Sequence, residues 1–342
     1  MKALVLERYG QFGMAELPDP MPGPGQVRIK IKACAICGSD LHGYTGVSGR
    51  RIPPIIMGHE ASGVVDALGE GAARFSVGRR VVFNSTLSCG ECWFCRRGMQ
   101  NICESARVFG VSCADYRLDG AMAEYITVPE RLVYPLPDAV SFEHASLVEP
   151  ISIALHAIRR AKIQMGDSVL VVGAGTIGLM LIKLLNRSNA RLLIAADIDK
   201  NKLRLAHAAG AQETVDTSIQ DIRQRVLALT GRGADVAFEA VGVPDTINTA
   251  IGCVRRGGCL TLLGNVSRTA ELDYQRIVCD ELLLAGSYTC TNEYETALEM
   301  ISDGSLTLDD VISKAAPLEQ GAEWFERLHA REAGLVKVVL LP

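Results

Sequence analysis

One stretch of the chain, from Ser168 to Asp199, restricts the possible folds more than any other. It opens with an apolar run rich in β-branched residues, Val169 to Val172, which is typical of a strand covered on both faces. Three glycines follow at the spacing G-x-G-x-x-G, then apolar residues at helical intervals, and then a second apolar run that ends at Asp197. Strand, glycine turn, helix, strand and acid in this order predict a doubly wound parallel sheet of the dinucleotide-binding type.

The residue types of this turn suit a pyrophosphate. Gly173 permits the tight turn, Gly175 lets the backbone approach a phosphate, and Gly178 lets the helix pack closely on the strand. The helix N-terminus would offer free N–H groups to the phosphates. Asp197, 22 residues after Gly175, would accept hydrogen bonds from the adenosine ribose. The alternative is a glycine-rich turn that only packs a helix against a sheet.

The composition is that of an ordinary globular protein. The chain has 342 residues, enough for two domains, of which 48% are hydrophobic and 22% charged. A net charge of −4 without a Lys/Arg run argues against a nucleic-acid or anionic-membrane partner, and no apolar run is long enough for a membrane span. Polar residues near the N-terminus argue against a secretory signal. We therefore expect a cytoplasmic protein whose eleven cysteines favour metal binding over disulfides.

The pattern of predicted strands and helices changes twice along the chain. Residues 1–150 read as β-rich, with strand candidates at 2–7, 27–31, 62–67, 80–84 and 125–128. Residues 151–287 alternate strands and helices, and the roughly six strands among them predict a parallel sheet. Residues 288–342 are too few to stand alone and are expected to rejoin the β-rich domain. They contain a helix capped by Asn292 with Glu295 and a final strand at 335–341.

Four cysteines lie close together in one loop at the spacing C-x2-C-x2-C-x7-C: Cys89, Cys92, Cys95 and Cys103. Such short spacings let four thiolates converge on one tetrahedral ion and close its shell against water. A closed shell is structural rather than catalytic. An iron–sulfur cluster is one alternative, because C-x2-C-x2-C also begins some cluster motifs, and disulfides are another.

A second group of potential metal ligands lies between residues 37 and 60. Cys37, His59 and Glu60 offer a thiolate, an imidazole and a carboxylate, and three protein ligands with an open position are typical of catalytic zinc. The 21 residues between Cys37 and His59 make spacing alone a weak argument. On chemistry alone, Cys37 could equally be a small core residue, and His59 a hydrogen-bonded loop residue.

The motifs taken together resemble those of the zinc-dependent medium-chain alcohol and polyol dehydrogenases. The resemblance rests on Cys37-Gly38-Ser39-Asp40, Gly58-His59-Glu60, the four-cysteine loop and the glycine turn, which occur in the family's order and spacing essentially from end to end. Leu147-Val148-Glu149-Pro150, followed by His156 and Arg159-Arg160, is most similar to the sorbitol dehydrogenase branch. Alcohol dehydrogenases of the family usually have Cys where this chain has Glu149.

The resemblance implies an α/β fold with two domains and two zinc ions. A GroES-like catalytic domain would comprise residues 1–150 and 288–342, and a Rossmann-type domain residues 151–287. Cys37, His59 and Glu60 would bind a catalytic zinc, and Glu149 would bind it directly or hold its water. The four-cysteine loop would bind a structural zinc.

The resemblance also implies a proton relay and a cofactor site. Asp40 would orient His59, Ser39 would take the proton of the substrate hydroxyl, and His42 would pass it towards solvent. Ordinary roles for Asp40 in a turn and for His42 on the surface remain alternatives. The cofactor residues would be Gly173, Gly175, Thr176, Ile177, Gly178, Asp197, Lys202, Val241, Gly242, Leu263 and Gly264.

The remaining cysteines and several histidines have no match to these motifs. We interpret Cys34, Cys113, Cys253, Cys259, Cys279 and Cys290 as packing residues, and His144, His207 and His329 as structural. Tyr44 and Phe109 are candidates for the substrate pocket.

The implied reaction is hydride transfer from a secondary alcohol of a polyol or sugar alcohol to NAD, which gives a ketone. The site would lie at the carboxyl ends of the parallel strands, in a homodimer or homotetramer. L-Threonine 3-dehydrogenase and a galactitol-1-phosphate type of dehydrogenase are the alternative enzymes. A catalytically silent NAD-binding regulator is the alternative of another class, and loss of a metal ligand would favour it.

Overall fold

A computed structural model describes all residues, 1–342. The chain forms two compact units, one made of residues 1–149 and 291–342 and the other of residues 150–290. No helix is both long and apolar enough to cross a membrane.

The first 149 residues are mostly strands, with two short helices and three 3-10 turns at 95–97, 100–102 and 130–132. The elements are β1 (Lys2–Arg8), β2 (Gln11–Glu16), β3 (Gln26–Ala35), α1 (Gly38–Tyr44), β4 (Ile55–Ile56), β5 (Glu60–Leu68), β6 (Arg80–Phe83), β7 (Thr86–Leu87), β8 (Arg107–Val108), β9 (Val111–Ser112), β10 (Arg117–Leu118), β11 (Tyr125–Pro129), β12 (Val133–Pro135) and α2 (Phe142–Ala145).

Residues 150–290 alternate helix and strand, as their sequence texture predicted. The elements are α3 (Val148–Ala161), β13 (Ser168–Val172), α4 (Thr176–Leu185), β14 (Leu192–Asp197), α5 (Lys200–Ala208), β15 (Glu213–Asp216), α6 (Ile222–Thr230), β16 (Ala234–Glu239), α7 (Pro244–Cys253), β17 (Val254–Leu262), α8 (Tyr274–Cys279) and β18 (Leu283–Gly286). All six strands are parallel, in the spatial order β15-β14-β13-β16-β17-β18. This is the dinucleotide-binding order 3-2-1-4-5-6, which confirms the predicted fold class.

The last residues form α9 (Glu293–Ser302), β19 (Ile312–Pro317), α10 (Gly321–His329) and β20 (Lys337–Leu341), with a 3-10 turn at 318–320. β20 pairs with β3 through Val339↔Ala35 and Leu340↔Cys34, so the tail extends the N-terminal sheet. The sheet runs β12-β6-β5-β3-β20-β19, and β11 also pairs with β3. The side chains of β3 alternate between the two faces of this sheet: Val27, Ile29 and Ile31 are fully buried, and Lys30 and Lys32 are exposed.

Two local predictions were wrong in detail. Asn292 holds the N-cap position of α9, but its side chain makes no cap hydrogen bond. Cys279 was interpreted as a packing residue and is exposed.

Candidate metal and dinucleotide sites

The pairing of two strands brings together three potential metal ligands. β3 and β5 are antiparallel neighbours, and Ala35 at the end of β3 lies opposite Glu60 at the start of β5. Cys37 follows β3 as the N-cap of α1, and His59 immediately precedes β5. The ligand atoms of Cys37, His59 and Glu60 all lie within 4.8 Å of one another. The register of β3 against β5 therefore brings Cys37 next to His59 and Glu60, although 21 residues separate Cys37 from His59 in the sequence.

The turn before His59 depends on Gly58. Its φ is +99°, a left-handed conformation that favours glycine. A Cβ there would lie 2.7 Å from Sγ of Cys34 and 2.9 Å from the backbone nitrogen of Met122. The close packing of this turn leaves room for no side chain, so Gly58 sets the direction in which the next two residues point.

Asp40 is fully buried and connects two of these ligands. Its Oδ2 accepts the backbone N–H of Cys37 at 3.2 Å, and its Oδ1 lies 3.4 Å from Nδ1 of His59, a contact too poorly aligned to count as a hydrogen bond. Burial would raise the pKa of Asp40, but the charges of His59 and Arg51 hold it well below its usual range. For His59, burial is outweighed by Asp40 and Cys37, which raise its pKa well above the ordinary value.

Glu60 and Glu149 differ in their surroundings although both are buried. Oε2 of Glu60 accepts a hydrogen bond from Nζ of Lys337 at 2.7 Å, which leaves its other oxygen for a metal. Glu149 is not among the three clustered ligands. Burial raises the pKa of Glu149 to about 7; His59 and Lys337 oppose this rise, and Glu60 adds to it. A thiolate, an imidazole and a carboxylate that converge in this way fit Zn²⁺ with an open fourth position.

The two predicted relay residues lie on α1 and are exposed. Oγ of Ser39 accepts a long hydrogen bond of 3.4 Å from Nη2 of Arg51. Partial burial lowers the pKa of His42, and the positive charges of Arg331 and His329 lower it further. His42 is therefore mostly neutral near pH 7, the form that accepts a proton.

The four cysteines of the loop converge as predicted. Their Sγ atoms lie within 4.8 Å of one another, with separations of 3.9 Å for Cys89–Cys95, 3.9 Å for Cys92–Cys103 and 3.5 Å for Cys89–Cys103. A tetrahedron with Zn–S bonds of about 2.3 Å has edges of about 3.8 Å. An iron–sulfur cluster, with several irons between the thiolates, needs wider spacing. All eleven cysteines are free thiols, so no disulfide competes.

The glycine turn has the geometry that the sequence predicted. Gly173 has φ +96°, and a Cβ on Gly178 would lie 1.9 Å from the carbonyl oxygen of Gly173. A Cβ on Gly175 would meet nothing within 4 Å, so space lies open where a pyrophosphate would approach. No side chain caps α4, and Thr176 and Ile177 in its first turn are only half-buried. The N-terminus of α4 is therefore open to an anion.

Asp197 ends β14 beside this turn. Its Oδ2 accepts the N–H of Ala174 at 2.8 Å and its Oδ1 that of Asp199 at 2.9 Å. A carboxylate has about four acceptor positions, so capacity remains for a ribose. Asp199 is the N-cap of α5 and accepts the backbone N–H of Lys202, whose half-buried side chain lies in the first turn of that helix.

The turns after β16 and β17 touch through their backbones. A Cβ on Gly264 would lie 2.0 Å from the nitrogen of Gly242, so both positions require glycine. The backbone N–H groups of Leu263 and Gly264 donate to the carbonyl of Glu239. The four predicted residues Val241, Gly242, Leu263 and Gly264 are thus brought together at the carboxyl ends of two neighbouring strands.

Three residues that contact candidate site residues were not identified from the sequence: Arg51, Lys337 and Glu239. Glu239 is fully buried, and its Oε1 accepts the N–H groups of Val241 and Gly242 and the hydroxyl of Thr246. The sequence did contain one signal for Lys337 and Glu239, because each is a charged residue at the end of an apolar strand. Arg51 stands in a loop and carried no such signal.

Two candidate pocket residues and two histidines interpreted as structural differ in how the structure places them. Tyr44 and Phe109, expected near the substrate, are buried in the core of the first unit. The hydroxyl of Tyr44 donates to the carbonyl of Gly10, and Phe109 packs edge-on against Phe83. His144 and His207 make structural contacts, with Asp309 and with the carbonyl of Ala211 respectively.

Comparison with known proteins identifies relatives along the whole chain. Residues 23–138 match the alcohol dehydrogenase GroES-like domain, and residues 176–303 match the zinc-binding dehydrogenase domain. The chain is 32% identical to sorbitol dehydrogenase of Bacillus subtilis, with 100% of this chain and 97% of that one covered. It is also 32% identical to L-threonine 3-dehydrogenase of Pyrococcus abyssi, with 96% and 94% covered. The crystal structure of galactitol-1-phosphate dehydrogenase from Escherichia coli has a TM-score of 0.92 at 31% identity and full coverage of both chains.

A chain with a thiolate–imidazole–carboxylate centre, a four-thiolate centre and a dinucleotide turn is a metal-dependent dehydrogenase. The chain belongs to the zinc-dependent medium-chain dehydrogenases, and is similar to the sorbitol dehydrogenase branch. It is an oxidoreductase that acts on a small-molecule alcohol with zinc and a nicotinamide dinucleotide; solved structures of related proteins hold NADP or NADH.

Proposed function

We propose that the protein oxidises a secondary hydroxyl of a polyol or sugar alcohol to a ketone with NAD. The observation that carries this proposal is the carboxylate content of the metal centre. Glu60 is one of three converging candidate ligands. Glu149 is also buried, and the negative charge of Glu60 contributes to the rise in its pKa. Because Lys337 and the metal would occupy both oxygens of Glu60, Glu149 is the carboxyl group that can accept a hydrogen bond from an additional hydroxyl, and a simple alkyl alcohol would leave it unmatched in a buried site. The similarity to sorbitol dehydrogenases supports the same class of substrate.

A zinc ion bound at this centre would supply a Lewis acid for the substrate oxygen, and a bound nicotinamide would supply the hydride acceptor. In our proposal Cys37, Glu60 and Nε2 of His59 hold the metal, because Nδ1 of His59 faces Asp40. Glu149, outside the cluster, holds a water or a substrate hydroxyl. Ser39 accepts the hydroxyl proton while it passes its own proton to neutral His42, and His42 then releases that proton to solvent; both side chains are exposed.

The preference for NAD over NADP rests on Asp197. Its carboxylate stands at the end of β14, where it would accept hydrogen bonds from ribose hydroxyls and repel a 2′-phosphate. Asp199 and Asp216, which lies opposite Asp197 in the sheet register, add negative charge. Lys200 and Lys202 are the opposing cations, but both lie in α5, beyond the strand end.

The four-cysteine loop in this proposal holds one structural zinc, and the protein works in the cytoplasm as a homodimer or homotetramer. Free thiols throughout the chain suit a reducing compartment. Exposed apolar side chains at Tyr274, Val278 and Leu283, on and beside the edge strand β18, offer a surface to a second copy. Size-exclusion chromatography with light scattering tests the oligomer directly.

A substrate panel with NAD and NADP on the zinc-loaded enzyme tests the function. We expect a higher kcat/KM on at least one polyol, or its phosphate, than on ethanol, butanol or threonine, and a higher efficiency with NAD. Best activity on a simple primary alcohol contradicts the polyol assignment, and equal efficiency with NADP contradicts the role of Asp197.

The Cys37→Ala variant tests the metal mechanism. It should abolish turnover with little change in NAD affinity, because the glycine turn and Asp197 belong to the other unit of the chain. Cys113→Ala is the matched control, since Cys113 is a half-buried thiol outside both clusters. Sustained turnover by Cys37→Ala would exclude the zinc mechanism.

Threonine oxidation is the second candidate, and the similarity to threonine dehydrogenases favours it. Highest efficiency on L-threonine in the same panel would replace the polyol assignment and leave the metal and cofactor proposals intact.

A further inference from the structure

We propose that Arg51 is a positioning residue of the catalytic metal site. Its guanidinium holds Asp40, and Asp40 in turn holds the backbone of Cys37 and faces His59. The proposal depends on the assignment of Cys37, His59 and Glu60 as metal ligands under the proposed function.

Arg51 is a buried cation with one carboxylate partner. Only 4% of its side chain is exposed, against 0% for Asp40. Its Nε and Nη2 both donate to Oδ1 of Asp40, at 3.3 and 3.0 Å, and its Nη1 donates to the carbonyl of Arg50 at 3.0 Å. The planar guanidinium is therefore fixed at three nitrogens, which a lysine ammonium cannot reproduce.

The two carboxylate oxygens of Asp40 contact different partners. Oδ2 accepts the N–H of Cys37, and Oδ1 is shared between Arg51 and the imidazole of His59. Without Arg51 the buried carboxylate would lose the cation that fixes Oδ1, and the carboxylate would turn towards His59 or towards water. Either movement disturbs two of the three metal ligands at once.

The same guanidinium reaches the proposed proton acceptor. Nη2 donates to Oγ of Ser39 at 3.4 Å, as well as to Asp40. A hydroxyl oxygen that accepts from Arg51 must direct its own hydrogen elsewhere. Arg51 therefore orients Ser39 and positions the metal ligands from one place.

The position of the Arg51 side chain depends on a glycine, Gly43, in α1. A Cβ on Gly43 would lie 2.0 Å from Cγ and 2.7 Å from Cβ of Arg51. Gly43 is buried, so the aliphatic part of Arg51 crosses the helix where no side chain stands. Gly43→Ala should consequently displace Arg51 without any change of charge.

The experiment compares Arg51→Met, Arg51→Lys and Gly43→Ala with wild type, and uses Arg50→Met as the control because Arg50 is exposed and contributes only its backbone carbonyl. Zinc affinity of each of the two sites is measured by chelator competition, and the visible spectrum of the cobalt-substituted catalytic site reports the ligand geometry. We expect Arg51→Met and Gly43→Ala to weaken the catalytic site about tenfold or more, Arg51→Lys to weaken it less, and the four-cysteine site to be unchanged.

Affinity within twofold of wild type and an unchanged cobalt spectrum in all three variants would overturn the proposal. Equal loss at both zinc sites would also overturn it, because that result indicates general destabilisation. If Arg51→Met does not fold, Arg51→Lys and Gly43→Ala decide. Wild-type zinc content and turnover are measured in parallel. A wild type with two zinc ions and no polyol activity contradicts only the proposed function, and a wild type with one zinc contradicts the ligand assignment itself.

Discussion

Nζ of Lys337 lies 2.7 Å from Oε2 of Glu60, and both side chains are 1% exposed. The same ammonium donates to the carbonyl of Ile36 at 3.1 Å. A residue near the C-terminus thereby fixes a candidate metal ligand near the N-terminus. Burial would lower the pKa of Lys337, but Glu60 and Cys37 outweigh it and raise that pKa, so the lysine remains charged at neutral pH.

Lys337→Met should therefore destabilise the protein by about 3 kcal/mol, because it leaves a buried carboxylate unpaired. The catalytic zinc should also be lost more readily, since Glu60 is no longer held in place. Denaturant unfolding and metal analysis measure the two effects. Lys314→Met is the control, because Lys314 is exposed on the neighbouring β19. Unchanged stability in Lys337→Met would show that the ion pair contributes nothing net.

Substitution by alanine should have different effects at two glycines of the glycine turn. Gly178→Ala places a Cβ 1.9 Å from the carbonyl oxygen of Gly173, a backbone atom that cannot move aside, so we expect a loss of about 2 kcal/mol or more in stability. Gly175→Ala meets open space and should change stability by no more than about 0.5 kcal/mol, yet weaken NAD binding.

Thermal unfolding and NAD titration of both alanine variants separate these roles. Gly175→Ala with normal NAD affinity would mean that the pyrophosphate does not approach this position.

Asp235 should make the stability of the parallel-sheet unit depend on pH. Burial would raise its pKa, but hydrogen bonds from the N–H and hydroxyl of Ser168 and from Arg255 lower it to about 2. Because the folded pKa lies below the unfolded value of about 3.9, the stabilisation is complete above about pH 4 and is lost as the pH falls through about 2.

Asp235→Asn should cost about 1 kcal/mol at pH 7, with allowance for solvent near the partly exposed Arg255, and the difference from wild type should shrink between pH 4 and pH 2. Urea unfolding across this range measures the effect. Asp138→Asn, at a carboxylate that is almost fully exposed, serves as the control. A difference that stays constant with pH would be inconsistent with the lowered pKa.

The four-cysteine loop should behave as a separate metal site. Cys95→Ser removes a buried ligand, so we expect one zinc per chain fewer and a lower melting temperature, because structural metal binding stabilises the fold. Cys279→Ser, at an exposed thiol outside both clusters, should leave both quantities unchanged. Full zinc content and unchanged melting of Cys95→Ser would contradict a structural zinc at this loop.

Local sequence determined the elements whose residues are close together in the chain. The glycine turn, its flanking strands and Asp197 lie within about thirty residues, and the four cysteines within fifteen. Glycine spacing, apolar periodicity and short ligand spacing all report on neighbours in the chain, so these features could be predicted from sequence alone. The parallel arrangement of about six strands could be predicted from their alternation with helices.

Tertiary structure alone decided what surrounds the candidate metal ligands. The register of β3 against β5 brought Cys37 to His59 and Glu60, and the pairing of β20 with β3 brought Lys337 to Glu60 from the other end of the chain. Arg51 reaches Asp40 only because Gly43 leaves space across α1. Such contacts depend on strand register and on the volume of distant side chains. No periodicity or spacing in the sequence encodes either, because both arise only when the sheets pack.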